Sequence, residues 1–244
     1  MERTSQNTTD NQPVTTLAEP RNKGAALALY LVLAGLFISA LVTCNLVANK
    51  FITIDLGFKV FTISAGVLPY PLTFLITDFL SEIYGRKKTG LVVMSGFGAL
   101  ALTMLVLWLA KNFDAIPNSP VSDEQYDLIF GNSWRVILSS MTAYLFAQLA
   151  DVQLFHFWKR LTKGKHLWLR NNASTILSQL VDTTLVVCVL FLGVLPFNKI
   201  LHYILDGWQF KVLCALVDTP IIYLAAWLGR RRFGLSKNQE IKLL

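Results

Sequence analysis

Four long apolar runs each hold one aspartate: Leu75-Ile76-Thr77-Asp78, Gln148-Leu149-Ala150-Asp151, Gln179-Leu180-Val181-Asp182 and Ala215-Leu216-Val217-Asp218. A carboxylate at the centre of a lipid-spanning helix costs roughly 2.5–3.5 kcal/mol even on insertion-based scales. All four must therefore face one another, water or a ligand. Gln148 with Asp151, and Gln179 with Asp182, are i, i+3 pairs, so each sets an amide and a carboxylate on one helix face. Asp78 and Glu82 stack in the same way at i, i+4, with Arg86 one turn further along. Donors and acceptors held side by side suit recognition of a small polar solute, and buried carboxylates also suit proton carriage.

Each of these residues has a plainer reading. Hydrogen bonding between neighbouring helices competes with ligand contact at Asp78, Asp151, Asp182 and Asp218, and Glu82 has a sequence-local partner in Arg86. Asn45 reads equally as interhelical glue or as a ligand contact. Lys211, two turns before Asp218, either anchors an interface or balances charge in a cavity. Tyr223, with Phe74, Tyr84 and Phe155, offers a face on which a flat ring stacks, although aromatics are common in any membrane core. The candidate substrate-binding set is therefore Asn45, Asp78, Glu82, Gln148, Asp151, Gln179, Asp182, Asp218 and Tyr223.

The elements that position them follow from hydropathy. Hydrophobic residues make up 54% of the 244, charged ones 15%, and the mean hydropathy is +0.50, a balance suited to lipid rather than water. Windows of membrane-spanning length fall at 24–48, 68–84, 90–110, 134–158, 173–195 and 208–229. With both termini in the cytoplasm, Arg21 and Lys23, the run Arg86-Lys87-Lys88, the set Lys159, Arg160, Lys163, Lys165 and Arg170, and the run Arg230-Arg231-Arg232 all lie inside. Only Lys50, Lys59, Lys111, Arg135, Lys199 and Lys211 remain outside, as the positive-inside rule requires. Trp108, Trp134 and Trp208 mark the outer boundary, and Trp158, Trp168 and Trp227 the inner one.

Between the first two spans, FITIDLGFKVFTIS at 51–64 alternates around Leu56-Gly57 and reads as a β-hairpin. Open strand edges find no partner in hydrocarbon, so the hairpin is placed as an outer lid or a plug in a cavity. Gly66, Pro69 and Pro71 then shorten the second span, since a helix over 71–84 reaches only about 21 Å across a ~30 Å core. Interrupted spans are tolerated where they line a cavity, and a second break is expected at 193–196. Ser122-Asp123-Glu124-Gln125 is a capping-box pattern and predicts a short surface helix. The whole is an all-α integral membrane protein of about six transmembrane helices, with a short extracytoplasmic β-hairpin and an interrupted second span. Residues 1–23 read as a disordered polar tail, 24–232 as the transmembrane transport domain and 233–244 as a cytoplasmic tail.

Other chemistries find no support. The sequence has no HExxH helix, serine elbow, P-loop or dinucleotide fingerprint, so no catalytic residue and no cofactor is assigned. His156, His166 and His202 are scattered, and no metal site is assigned. Cys44, Cys188 and Cys214 lie in apolar runs and read as core residues rather than a disulfide framework. The net charge of +7 comes from clusters beside apolar runs, so it reports topology, not direct nucleic-acid binding. The remaining alternatives are a non-transporting membrane scaffold and an intramembrane enzyme whose adjacent aspartates share a proton.

The runs PLTFLITDFLSEIYGRK at 71–87, NNASTILSQLVDT at 171–183 and ALVDTPIIY at 215–223, with the Gln148/Asp151 pair, resemble the motifs of the bacterial queuosine precursor transporter family, also called the vitamin uptake transporter family. The likeness covers 24–232. It implies a solitary six-helix importer in the bacterial inner membrane, carrying 7-cyano-7-deazaguanine and, as a second candidate, its aminomethyl counterpart, for queuosine synthesis in tRNA. A vitamin or another nucleobase is the alternative cargo. The partners implied are that small molecule and the bilayer; the likeness extends to vitamin-binding subunits that work with an ATPase module, but the sequence itself encodes no such partner.

Overall fold

The computed structural model describes residues 16–47, 50–57, 59–130, 134–191, 196–236 and 239–242. Among them stand seven α-helices and two small sheets. Helix α1 (Lys23–Leu46) starts where the Asn22 side chain accepts the Ala25 N–H at 3.0 Å, which satisfies one of the free donors of the first turn. The hairpin follows as β2 (Phe51–Asp55) and β3 (Val60–Ser64), antiparallel with Asp55 opposite Val60 and Gly57 at φ 81° in the turn. Helix α2 (Tyr70–Ile83) opens with Pro71 in its first turn, where a missing N–H costs nothing. Then come α3 (Arg86–Lys111), α4 (Asp123–Phe130), α5 (Trp134–Leu161), α6 (Leu167–Phe191) and α7 (Phe197–Phe233).

Helix α2 is the post around which the bundle is built. Eleven of its fourteen residues are buried, and it touches α1, α3, α5 and α7. Its length is about 21 Å, shorter than the helices packed around it. Two close approaches fix the packing. A Cβ added to Gly96 of α3 would meet Phe37 of α1 at 2.7 Å, and one added to Gly229 of α7 would meet Phe79 of α2 at 3.1 Å. The Tyr84 hydroxyl donates to the Ala26 carbonyl at 2.8 Å and ties the end of α2 to α1.

Helices α1, α3 and α7 are long and apolar enough to cross a membrane. Their outward faces carry Leu27, Leu31, Leu36, Leu91, Leu102 and Leu105 in the open, an apolar belt that only lipid satisfies. With α5 and α6 the described fold is that of an all-α membrane protein. The capping box forms as read: Ser122 N–H donates to Gln125 Oε1 at 3.0 Å, and Gln125 N–H to Ser122 Oγ at 3.2 Å.

Several boundaries differ from the hydropathy reading. Helix α7 begins at Phe197, eleven residues before the expected span at 208, because Pro196 supplies an extended N-cap and nothing in 197–207 breaks a helix. Helix α6 begins at Leu167 rather than 173, and the expected break at 193–196 falls mostly outside the described residues. Trp208 is not free at a boundary: its Nε1–H donates to the Ile176 carbonyl at 3.0 Å, inside the α6–α7 contact. Part of the tail read as disordered is a strand, β1 (Thr16–Ala18), parallel to β4 (Gln239–Ile241). The hairpin packs Phe61 and Ile63 against Phe210 of α7, and Lys59 Nζ donates to Asp206 Oδ1 at 2.6 Å and Gln209 Oε1 at 3.0 Å.

Candidate functional site

The buried polar residues gather in three adjoining groups along α2. The first lies near its start, where Tyr70 stands at the head of the helix. Asp182 of α6 accepts the Tyr70 hydroxyl at 2.5 Å and the Lys211 ammonium of α7 at 2.8 Å. Lys211 also reaches Thr183 Oγ1 at 3.2 Å and sits 4.1 Å from the centre of the Tyr70 ring. A carboxylate with a cation and a hydroxyl donor is neutralised and held, so Asp182 positions Lys211 and Tyr70 as much as they position it.

Beside this triad a cleft opens between α2, α6 and α7, lined by Tyr70, Phe74, Thr175, Gln179, Lys211 and Asp218 among others. Its free volume is about 20 Å³, room for a water or two. A flat bicyclic ligand therefore enters only when the lining side chains move. Gln179 is buried in this wall with neither amide atom hydrogen-bonded. A buried amide costs about 1–3 kcal/mol when unsatisfied, so the cleft offers both a donor and an acceptor that await a partner.

The second group is deeper in the bundle. Asp78 of α2 and Asp151 of α5 bring their carboxyls into hydrogen-bonding contact, and the Ser178 hydroxyl of α6 donates to Asp151 Oδ1 at 3.0 Å. Gln148, one turn before Asp151, donates to Thr73 Oγ1 at 3.3 Å.

The third group closes the other end of α2. Glu82 receives Arg170 of α6 at 3.1 Å and Lys159 of α5 at 3.7 Å, and also pairs with Arg230 of α7. Lys159 is shared with Glu240 of β4 at 2.9 Å. Lys159 and Arg170 are 2% and 1% exposed, so this is a buried ionic network rather than an interfacial fringe. The Glu240 carboxylate lies against Gly85, whose φ of 81° and missing side chain make the space for it.

Of the sequence candidates, Gln179 and Asp218 line the cleft and Asp182 adjoins it through Tyr70 and Lys211. Asp78, Asp151 and Gln148 form the deeper group, and Glu82 the ionic end. Arg86, weighed as the partner of Glu82, is exposed, and the cations paired with Glu82 are Lys159, Arg170 and Arg230 instead. Asn45 donates to the Leu41 carbonyl of its own helix at 3.0 Å, and the Tyr223 hydroxyl accepts the Trp168 N–H at 3.2 Å. Tyr70, Thr175, Ser178, Lys159, Arg170 and Arg230 enter the site without having been singled out. The signal for Lys159 and Arg170 was their place within a turn of a helix end, which the topology count read as solvent-facing charge.

The family described as "Putative vitamin uptake transporter" matches residues 64–225, a stretch that holds every member of the three groups except Arg230 and Glu240. A "Probable queuosine precursor transporter" of Bacillus subtilis is 34% identical over 165 residues, covering 67% of this chain and 72% of that protein. A second protein of the same description, from Haemophilus influenzae, is 29% identical over 121 residues, covering 48% and 47%. No solved structure matches.

Proposed function

The chain belongs to the vitamin uptake transporter family, a family of transporters and not of enzymes, and on that premise we propose that it imports queuosine precursors across the bacterial inner membrane. The cargo is a 7-deazaguanine base, 7-cyano-7-deazaguanine first, held in the cleft between α2, α6 and α7. Both relatives are described as queuosine precursor transporters, which supports the substrate class. The observation that carries the site is Gln179, a buried amide with both atoms unpartnered, in the same wall as Asp218.

The chemistry is complementary. A guanine-like edge presents a ring N–H and an amino group side by side, and one carboxylate accepts both. Asp218 has no cation within salt-bridge distance among the described residues and is free to do this. The carbonyl oxygen of the base takes the Gln179 amide N–H, and the ring stacks against Tyr70 or Phe74, a contact worth about 1–3 kcal/mol. Asp182 serves by holding Lys211 and Tyr70 in place. With the basic ends of α5, α6 and α7 in the cytoplasm, both termini lie inside, the Glu82 network closes the inner end and the hairpin closes the outer one.

The test uses cells unable to make the precursor, supplied with low external 7-cyano-7-deazaguanine. The wild type restores queuosine in tRNA; Asp218→Asn and Gln179→Ala, at equal membrane abundance, reduce rescue at least tenfold, and excess substrate restores it. Failure of the correctly inserted wild type to rescue refutes the substrate, and full rescue by both variants refutes the cleft.

A further inference from the structure

Asp78 and Asp151 sit away from the lining of the substrate cleft, yet they are among the most enclosed polar groups in the molecule, 2% and 0% exposed. Their carboxyls touch. Two ionised carboxylates at that range in a low-dielectric interior repel strongly, whereas one proton between them turns repulsion into a hydrogen bond. The groups around the pair are set out on every neighbouring helix. From α6 comes the Ser178 hydroxyl, which donates to Asp151 Oδ1 at 3.0 Å, with the hydroxyls of Ser174 and Thr175 nearby. From α7 comes Asp218, which adds negative charge, and from α6 Arg170, the cation close enough to act on Asp78. Among the described residues, buried Lys159 and half-buried Lys211 and Arg230 are engaged, Lys211 on Asp182 and the other two on Glu82.

Arg170 is the second, independent observation. One of its nitrogens, Nη2, is spent on Glu82, while Nε and Nη1 are buried with no acceptor. Asp78 Oδ1 and Asp151 Oδ2 are likewise buried and unpartnered. Asp78 and Glu82 lie one turn apart on the same face of α2, so a single guanidinium stands between the carboxyl pair and the ionic end of the helix.

We propose that the Asp78–Asp151 pair binds the proton that travels inward with the substrate, and that Arg170 reports its release to the Glu82 network. The proposal rests on the carrier reading above. A proton from the outer side forms one O–H bond in the pair. Its loss to the inner side breaks that bond and leaves one more negative charge, to which Arg170 turns its idle N–H groups. Glu82 then loses one of its three cations, and the inner ends of α2 and α6 are released from each other. One neutral base and one proton cross together.

The experiment uses the full chain in proteoliposomes with the membrane potential clamped at zero and a pH-sensitive dye inside. With the outside one pH unit more acid, one-to-one coupling accumulates the base up to about tenfold, and the dye reports proton influx that starts on adding the base. Asp78→Asn and Asp151→Asn lose both accumulation and influx, and Asp78→Glu and Asp151→Glu, which keep a titratable carboxyl, retain both. Infrared spectra of the protein without substrate show a protonated carboxylic acid band in the wild type that either Asn variant removes. Accumulation that survives in both Asn variants, drive by a sodium gradient in place of pH, or a band unchanged by both Asn substitutions overturns the proposal. Wild-type exchange of labelled for unlabelled 7-cyano-7-deazaguanine with no response to the pH gradient also overturns it while the carrier reading stands. Absence of wild-type exchange refutes the substrate instead, and the infrared band still decides the proton site.

Discussion

Replacing Glu82 by Gln tests whether the buried network behaves as a single electrostatic unit. Glu82 and Glu240 face Lys159, Arg170 and Arg230, so the described network carries one excess positive charge. Glu82→Gln keeps the volume and raises that excess to two, with Arg170 left without any carboxylate in salt-bridge range. Removing one partner of a buried pair costs about 3–5 kcal/mol, because the charge left behind has neither water nor a counter-ion. For a chain of this size that lowers the melting temperature in detergent by roughly 6–20 °C. Arg170→Met added to Glu82→Gln removes the stranded charge, and the double variant recovers at least half of the loss. The assay is a double-mutant cycle read by thermal unfolding of the purified protein. A single-variant shift under about 2 °C, or a double variant whose loss is the sum of the two singles, refutes the reasoning: the network is then solvated and its members act independently.

Three further outcomes follow from other contacts. Gly96→Leu drives a side chain into Phe37 and Leu41 and costs about 1–3 kcal/mol by overpacking, seen as a lower melting temperature that Phe37→Ala partly restores. Lys211→Met strands Asp182 among Tyr70 and Thr183 and cuts uptake at least tenfold; Asp182→Asn in the same chain restores abundance but not uptake. Lys59→Ala removes the ion pair to Asp206, whose partners are 35% and 18% exposed, so stability changes by at most about 1 kcal/mol, while limited proteolysis at the hairpin accelerates.

The polar constellation was legible because burial of charge is expensive in any fold: Asp78, Asp151 and Asp182 are all buried, and the run of short-range rules located the hairpin, the capping box and the shortened α2. The partnerships were not legible. Asp182 and Lys211 lie on different helices, and the contact depends on how α6 and α7 are rotated against each other, which no periodicity encodes. Arg170 and Lys159 misled for a definite reason. A topology count treats every basic residue near a helix end as solvated, yet a short α2 ends inside the bundle and draws those side chains inward to Glu82. The start of α7 was missed because hydropathy averages Lys199, His202 and Asp206 against their neighbours, although Pro196 signals a helix start by itself.

Helix α7 runs from the hairpin to the buried ionic network as one helix. Its Asp206 holds the hairpin through Lys59, and its Arg230 holds α2 through Glu82. Those residues are about 36 Å apart along the axis. Between the two fastenings lies Pro220, two residues from Asp218 in the cleft wall, and a proline inside a helix removes one backbone hydrogen bond and marks a bend: the span is a jointed beam with its joint beside the cleft. On the carrier reading proposed above, a movement at that joint reaches both fastenings at once, so the two ends are linked mechanically rather than timed as separate locks.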